Sequence, residues 1–303
     1  SRGTMASRTV ASVARRAASS LPGASRSRMA APVALSNNFA PPAPATQPQR
    51  RQATTSAGAA LASLAAANPH VDVVRYEHKN VKWTLGHVDR SSEALAVGFI
   101  ENGLRPGDVV LSWLPQHFGE EHILQFACSK AGLVLYNLDP AQAITDPEGA
   151  KKALARALEV TEANVLVTQE AGSDTNYVKL VESVVPETRM FNFGDGMPFF
   201  SPRFPHLRFP VHTGFDIQGK AGMEPLKHML CPADTLQDQL AAIGAKIDGK
   251  SPLMGQLTMG KDSLPQKGKV LSNEDVFKSG EWPTFSSILK KDYVEIEGVG
   301  VVF

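Results

Sequence analysis

The chain has 303 residues, 43% apolar and 20% charged, enough to bury a sizeable core in one large domain or two small ones. No run of about 18 apolar residues occurs, which argues against a membrane-spanning helix. The net charge of +1 hides a division. Residues 1–71 hold eight arginines (Arg2, Arg8, Arg15, Arg16, Arg26, Arg28, Arg50 and Arg51) and no acid. Without those eight, the 31 basic residues fall to 23 against 30 acids, so the body is mildly acidic and no nucleic-acid partner is expected.

An Arg-, Ser- and Ala-rich, acid-free N-terminus has the composition of a mitochondrial transit peptide. On a helix from Met5 to Ser20, Arg8, Arg15 and Arg16 gather opposite Val10 and Val13. A Pro/Ala stretch follows from Phe39 to Gln49, with no means of forming a packed core. Residues 1–52 are therefore expected to be a targeting leader, placing the protein in the matrix or on the matrix side of the inner membrane. The alternative is a basic tail on a cytosolic protein. The two cysteines, Cys128 and Cys231, have no metal or disulfide spacing, which fits a reducing compartment.

The body reads as alternating strands and helices. The Ala-rich run 57–67 predicts a short helix. Val71–Tyr76 and Val81–Leu85 predict a hairpin around His78-Lys79-Asn80. Asp89 or Ser91 is the expected cap of a helix that runs to Glu101 and stops at Asn102-Gly103. After the turn Arg105-Pro106-Gly107-Asp108, the apolar run Val109–Leu114 suits a central parallel strand buried on both faces. A helix from Phe118 to Ala131 ends at Gly132, and Leu133–Leu138 is the next strand. Then come a helix near 148–159, a strand at Val165–Thr168, a helix near 175–185 and a strand at Met190–Phe193. The alternation implies an α/β fold with a doubly wound, mostly parallel sheet and flanking helices. Residues 194–233, rich in Pro, Gly, Phe and His, have no clear period beyond a strand at Leu207–His212. Asp234–Gly244 predicts a helix and Pro252–Thr258 a strand.

Several runs resemble, in order, the N-terminal part of the adenylate-forming acyl-CoA synthetases. Trp83-Thr84-Leu85-Gly86-His87-Val88-Asp89-Arg90 is similar to their "YTYAELDR", and Asn102–Val110 to "LGVRPGDRV". Leu114-Pro115, Phe126–Gly132 and Asn137-Leu138-Asp139-Pro140 match the elements that follow, so the resemblance spans roughly residues 60–276. The family's phosphate loop, "TSGTTG-x-PKG" followed by "LSH", resembles Thr258–Asn273. Thr258, Gly260, Pro265, Lys267, Gly268 and Leu271-Ser272 keep the pattern. Met259 replaces a serine, Lys261 and Asp262 replace two threonines, Ser263 replaces a glycine, and Gln266 is inserted before Lys267. In a working loop, small residues let backbone N–H groups wrap the phosphates. An Asp262 carboxylate about 4 Å from a phosphate would repel it by up to about 4 kcal/mol at an effective dielectric near 20. Lys261 is expected to offset some of that but not to restore the missing glycine conformation at 263 or the register of Lys267, shifted by the inserted Gln266.

In the family, the acid that helps hold magnesium, the aromatic-Gly-Thr-Thr-Glu segment, the ribose-binding aspartate and the C-terminal domain with its catalytic lysine lie further downstream. The resemblance therefore implies a truncated synthetase-like domain over 53–276 and an irregular, divergent tail over 277–303, with short helices and a last strand at Val294–Phe303. The expected protein is non-catalytic, with no cofactor and no metal. Its expected role is an accessory or structural subunit of a mitochondrial inner-membrane complex (the ATP synthase or a respiratory complex), peripheral to the membrane and contacting other subunits. The alternatives are an ATP-dependent acyl-CoA ligase completed by another chain, and an acyl- or nucleotide-binding module.

Other candidate residues carry blander expectations. His117 and His122 bracket Glu120-Glu121 five apart, so they share no helix face and are expected to be solvated. His206, His212 and His228 are expected in packing or surface roles. Phe191, Phe193, Phe199, Phe200, Phe204 and Phe209 are expected as core or interface anchors.

Overall fold

A computed structural model describes residues 55–170, 175–231 and 236–296. The expected leader over 1–52 and residues 297–303 of the expected last strand lie outside them. Helix α1 (Ala57–Ala67) starts where the Ser56 side chain accepts from Ala59 N. Strands β1 (Asp72–Tyr76) and β2 (Val81–Thr84) form the antiparallel hairpin, turned by Asn80 in the left-handed region. Helix α2 (Leu85–Glu101) begins earlier than the sequence suggested. Thr84 is its cap, its hydroxyl accepting from His87 N at 3.2 Å, while Asp89 lies inside the helix and pairs with Lys130 at 2.7 Å.

The alternation then proceeds as expected through β3 (Val109–Trp113), α3 (Gly119–Ala131) and β4 (Val134–Asn137), adds a short α4 (Gln142–Thr145) that the sequence did not suggest, and continues through α5 (Pro147–Thr161), β5 (Val165–Thr168) and α6 (Tyr177–Val184). Gly132 ends α3 at a φ of 73°, a conformation that costs a residue with a Cβ about 1–2 kcal/mol. The strand expected at Met190–Phe193 does not form. Pro186–Arg189 and Phe193–Asp195 are single 3-10 turns, and Met190 is exposed between them. Phe191 and Phe193 meet edge-to-face at 4.8 Å, and Phe199 joins Phe191 at 5.2 Å. These rings serve a local cluster, leaving the sheet position to β6 (Phe209–His212). Phe199 and Phe204 are buried, whereas Phe200 is exposed.

After the two-residue β7 (Glu224–Pro225) and α7 (Gln237–Gly244), the chain returns to the sheet as β8 (Pro252–Met259) and β9 (Pro265–Ser272). The seven strands lie in the order β7-β6-β5-β3-β4-β8-β9, parallel except for β9. The residues expected as one loop over 258–273 therefore divide: Thr258 closes β8, while Pro265, Lys267 and Gly268 belong to β9. Gly255 lets β8 approach β4, since a Cβ there would fall 2.0 Å from the Tyr136 ring.

The tail is regular where it is described. Helices α8 (Asn273–Ser279) and α9 (Pro283–Lys290) lead to β10 (Val294–Ile296), which pairs parallel with β1 to give a second sheet, β10-β1-β2. One core lies between the large sheet and the α1–α3 layer, the other beneath α5 and α6. Val276, Trp282 and Phe285 belong to the first, with Phe285 stacked on Phe126 at 4.4 Å. Deleting such a ring removes both burial and packing. Phe285→Ala is expected to destabilise the fold by about 3–5 kcal/mol, whereas Phe200→Ala should stay within about 0.5 kcal/mol; thermal melts followed by circular dichroism distinguish the two.

Candidate functional site

The phosphate-loop residues sit at the tip of the β8–β9 hairpin. Thr258 pairs with Gln266 and Met259 with Pro265, and the tip is closed by Gly260 N donating to Leu264 O at 2.8 Å. Ser263 N donates to Gly260 O at 3.1 Å, and the Asp262 carboxylate accepts from Leu264 N at 3.2 Å. Three backbone donors are thus spent inside the turn. The concavity beside Gly260 is also filled: a Cβ there would meet the Gln266 amide at 2.5 Å and the Asp262 carboxylate at 2.6 Å. Both residues are departures from the family pattern. Contrary to the expectation for residue 263, Ser263 does keep a left-handed backbone, with φ 58°. The turn geometry survives, but three of its backbone donors and the hollow beside Gly260 are used internally, and in a working loop such groups wrap the phosphates. Lys261 and Lys267 are both exposed.

A second group, which the sequence reading did not single out, lies at the carboxyl ends of β3 and β4. Glu121, on the inward side of α3, is fully buried and accepts hydrogen bonds from Ser112 of β3 and Asn137 of β4, with a longer one from Gln125 Nε2 at 3.4 Å. It has no ion-pair partner among the described residues. Burial pushes its carboxyl up to about 7, against the downward pull of those three donors. The sequence signal was a charge on the apolar stripe of a helix, Glu121 standing in register with Leu124, Gln125 and Cys128.

His122 corrects an expectation of solvation: it is buried, and its Nδ1 accepts from the Tyr76 hydroxyl at 2.8 Å. Burial, helped by His117, lowers its pKa to about 4, while a hydrogen bond to the Gln116 carbonyl acts the other way. With one ring nitrogen accepting and the other donating, the ring is a neutral strut between α3 and β1. His212 is likewise buried, Nδ1 accepting from Gly214 N at 3.1 Å, and burial with Lys220 nearby pushes it down to about 4. His206 and His228 are exposed and face Glu162 and Glu224. Cys128 is buried, its thiol pushed up by burial. No group of three or more His, Cys, Asp or Glu suited to a metal occurs among the described residues.

Two cavities flank this region. One, of about 330 Å³, lies between α3, α9 and β10 and includes Gln116, His122, Gln125, Trp282, Phe285 and Ile296 in its wall. The other, of about 370 Å³, reaches Asn137 and Thr258 and shares Gln116, Glu281 and Trp282 with the first. Among the described residues, no lysine or arginine lines either of them.

The parallel sheet, with its antiparallel hairpin carrying the loop, is the fold of adenylate-forming enzymes. The acetoacetyl-CoA synthetase from Streptomyces lividans superimposes with a TM-score of 0.59 at 17% identity, over 80% of this chain and 38% of that one. Residues 61–194 match the family of AMP-binding enzymes. The putative acyl-CoA synthetase YngI of Bacillus subtilis is 26% identical over 223 residues, covering 73% of this chain and 38% of the relative. The mitochondrial medium-chain acyl-CoA ligase ACSF2 of Danio rerio is 24% identical over 208 residues, covering 69% and 32%. Residues 61–194 are therefore an AMP-binding domain homologous to the acyl-CoA synthetases, and the chain spans about a third of the length of the curated relatives it matches.

The Glu121 carboxyl holds its proton more tightly in the folded chain than at its usual value of 4.5. Its contribution to stability is accordingly greatest below about pH 4.5 and declines as pH rises towards 7. Glu121→Gln should flatten that part of the stability profile, as measured by denaturant titrations at a series of pH values.

Proposed function

We propose that this protein is a non-catalytic, acyl-CoA-synthetase-like protein of the mitochondrion, serving as an accessory or structural subunit of an inner-membrane complex, either the ATP synthase or a respiratory complex. The observation that carries the non-catalytic reading is the hairpin tip. Gly260 N, Ser263 N and Leu264 N are bonded within the turn, and Asp262 and Gln266 fill the hollow beside Gly260. An anion arriving there would meet the Asp262 carboxylate and a turn in which three backbone donors are already bonded. The adjoining cavity adds Glu281 and, among the described residues, no lysine or arginine. The compartment rests on the acid-free arginine leader and on relatives whose own names place them in mitochondria. The choice of complex follows from the compartment alone.

A second reading, an acyl- or nucleotide-binding module without chemistry, is favoured by the cavity that reaches Thr258 of the loop. Calorimetry with ATP, AMP and a medium-chain acyl-CoA separates it from the first, which expects silence on all three.

The full chain is expected to give no ATP–pyrophosphate exchange above background with a panel of short- to long-chain fatty acids. Turnover that disappears in Lys267→Ala would overturn the non-catalytic reading. In native mitochondrial extract the protein should elute with a large assembly on gel filtration, and elution only as a free monomer would remove the subunit role.

A further inference from the structure

A further cavity, of about 340 Å³, lies between α5, α6 and the segment around Arg203, and Leu264 of the hairpin tip completes its lining. Its charge runs against that of the body. Outside the leader arginines the chain carries 23 basic residues against 30 acids. This groove instead gathers Lys151, Lys152, Arg156 and Arg203 against Glu148 and Glu159.

The pairing inside the groove leaves that excess in place. Lys151 is met by Glu148 at 2.6 Å. Glu159 is shared, its carboxylate receiving Arg203 at 2.9 Å and Arg156 at 3.5 Å. One acid thus stands against two guanidiniums. Lys152 is exposed and has no ion-pair partner among the described residues. Lys152, Arg156 and Glu159 recur at helical spacing along α5, so the helix presents them on one stripe. Arg203 is steadied from two sides, by Glu159 and by the Phe204 ring at 5.1 Å from its guanidinium carbon. A guanidinium already held in place loses little freedom when a further carboxylate reaches it.

An apolar anchor stands beside these charges. Phe199 and Phe204 are buried, whereas Phe200 is 64% exposed and Met197 65%. Phe200 precedes Arg203 by three residues, a reach of about 11 Å at most. Within the groove, Ala155 and Val184 are buried and give it apolar wall between the charged side chains.

We propose that this groove docks an extended acidic segment of a partner protein, a bulky apolar side chain of that segment packing on Phe200. Its carboxylates meet Lys152 and the two guanidiniums that share Glu159. A long polyanion such as a nucleic acid is disfavoured, because beyond the groove it faces the acidic body. A bilayer surface is disfavoured because it cannot enter a concavity. The proposal stands apart from the compartment, from the choice of complex and from whether the hairpin tip binds ATP.

The test is fluorescence anisotropy on the full chain with a labelled Glu-Glu-Phe-Glu-Glu peptide. Saturable binding is expected, weakening as sodium chloride is raised, with a Lys-Lys-Phe-Lys-Lys peptide silent. Lys152→Glu should weaken binding about ten-fold with an unchanged melting temperature, since the residue has no ion pair to lose, and Lys152→Arg should preserve it. Phe200→Ala should weaken binding of that peptide and leave a Glu-Glu-Ala-Glu-Glu peptide unaffected, which separates the anchor from the charges. Absence of saturable binding, equal affinity in Lys152→Glu, or tighter binding of an oligothymidylate or of phosphatidylserine vesicles than of the acidic peptide would each overturn the proposal.

Discussion

Strand β3 has a parallel neighbour on each side and must be covered on both faces, and the rest of the molecule follows from that requirement. Its residues alternate between two cores. Val110 faces the layer containing α1, α2 and α3, while Leu111 and Trp113 face the layer under α5 and α6. Ser112 falls on the same side as Val110 by the period of the strand. A hydroxyl in that position needs a partner, and α3 supplies Glu121. Asn137 and Gln125 are then drawn to the same carboxyl. One polar residue in a buried strand thus accounts for a network that ties β3, β4 and α3 together. The ionised acid has only neutral dipoles to compensate it, which is why burial moves its titration so far.

The β8–β9 hairpin obeys a different constraint. Its strands belong to the sheet, so the seven residues from Met259 to Pro265 must reverse the chain in little space. The substitutions in the loop suit that task. Asp262 binds the turn through its own carboxylate, as aspartate commonly does, and Ser263 tolerates the left-handed backbone. Gln266 packs back against Gly260. A loop that departs from the phosphate-binding pattern can still make a well-bonded turn, because its N–H groups can be spent within the turn.

The order and type of most elements were legible from periodicity and stop signals. Gly103, Gly107 and Gly132 all take the positive φ that turns and helix ends require. The errors have local causes. Thr84 capped α2 ahead of the better-ranked Asp89, because β2 already holds the preceding chain extended and Asp89 is needed by Lys130. Met190–Phe193 has strand composition, yet its rings are satisfied by a cluster with Phe199. His122 looked like a surface residue only because β1, which buries it, is 46 residues away from it along the chain through Tyr76.

The amino-acid sequence alone determined the α/β class, the succession of strands and helices, the resemblance to acyl-CoA synthetases and the positions at which the phosphate loop departs from its pattern. These are properties of neighbours along the chain: period, capping and motif spacing. Only the tertiary structure decided that Asp262 and Gln266 fill the hollow of the loop, that Glu121 is a buried acid without a counter-ion among the described residues, and that α9 and β10 close a cavity against α3. Each depends on residues distant in sequence being brought to hydrogen-bonding or van der Waals range, and on whether water remains between them.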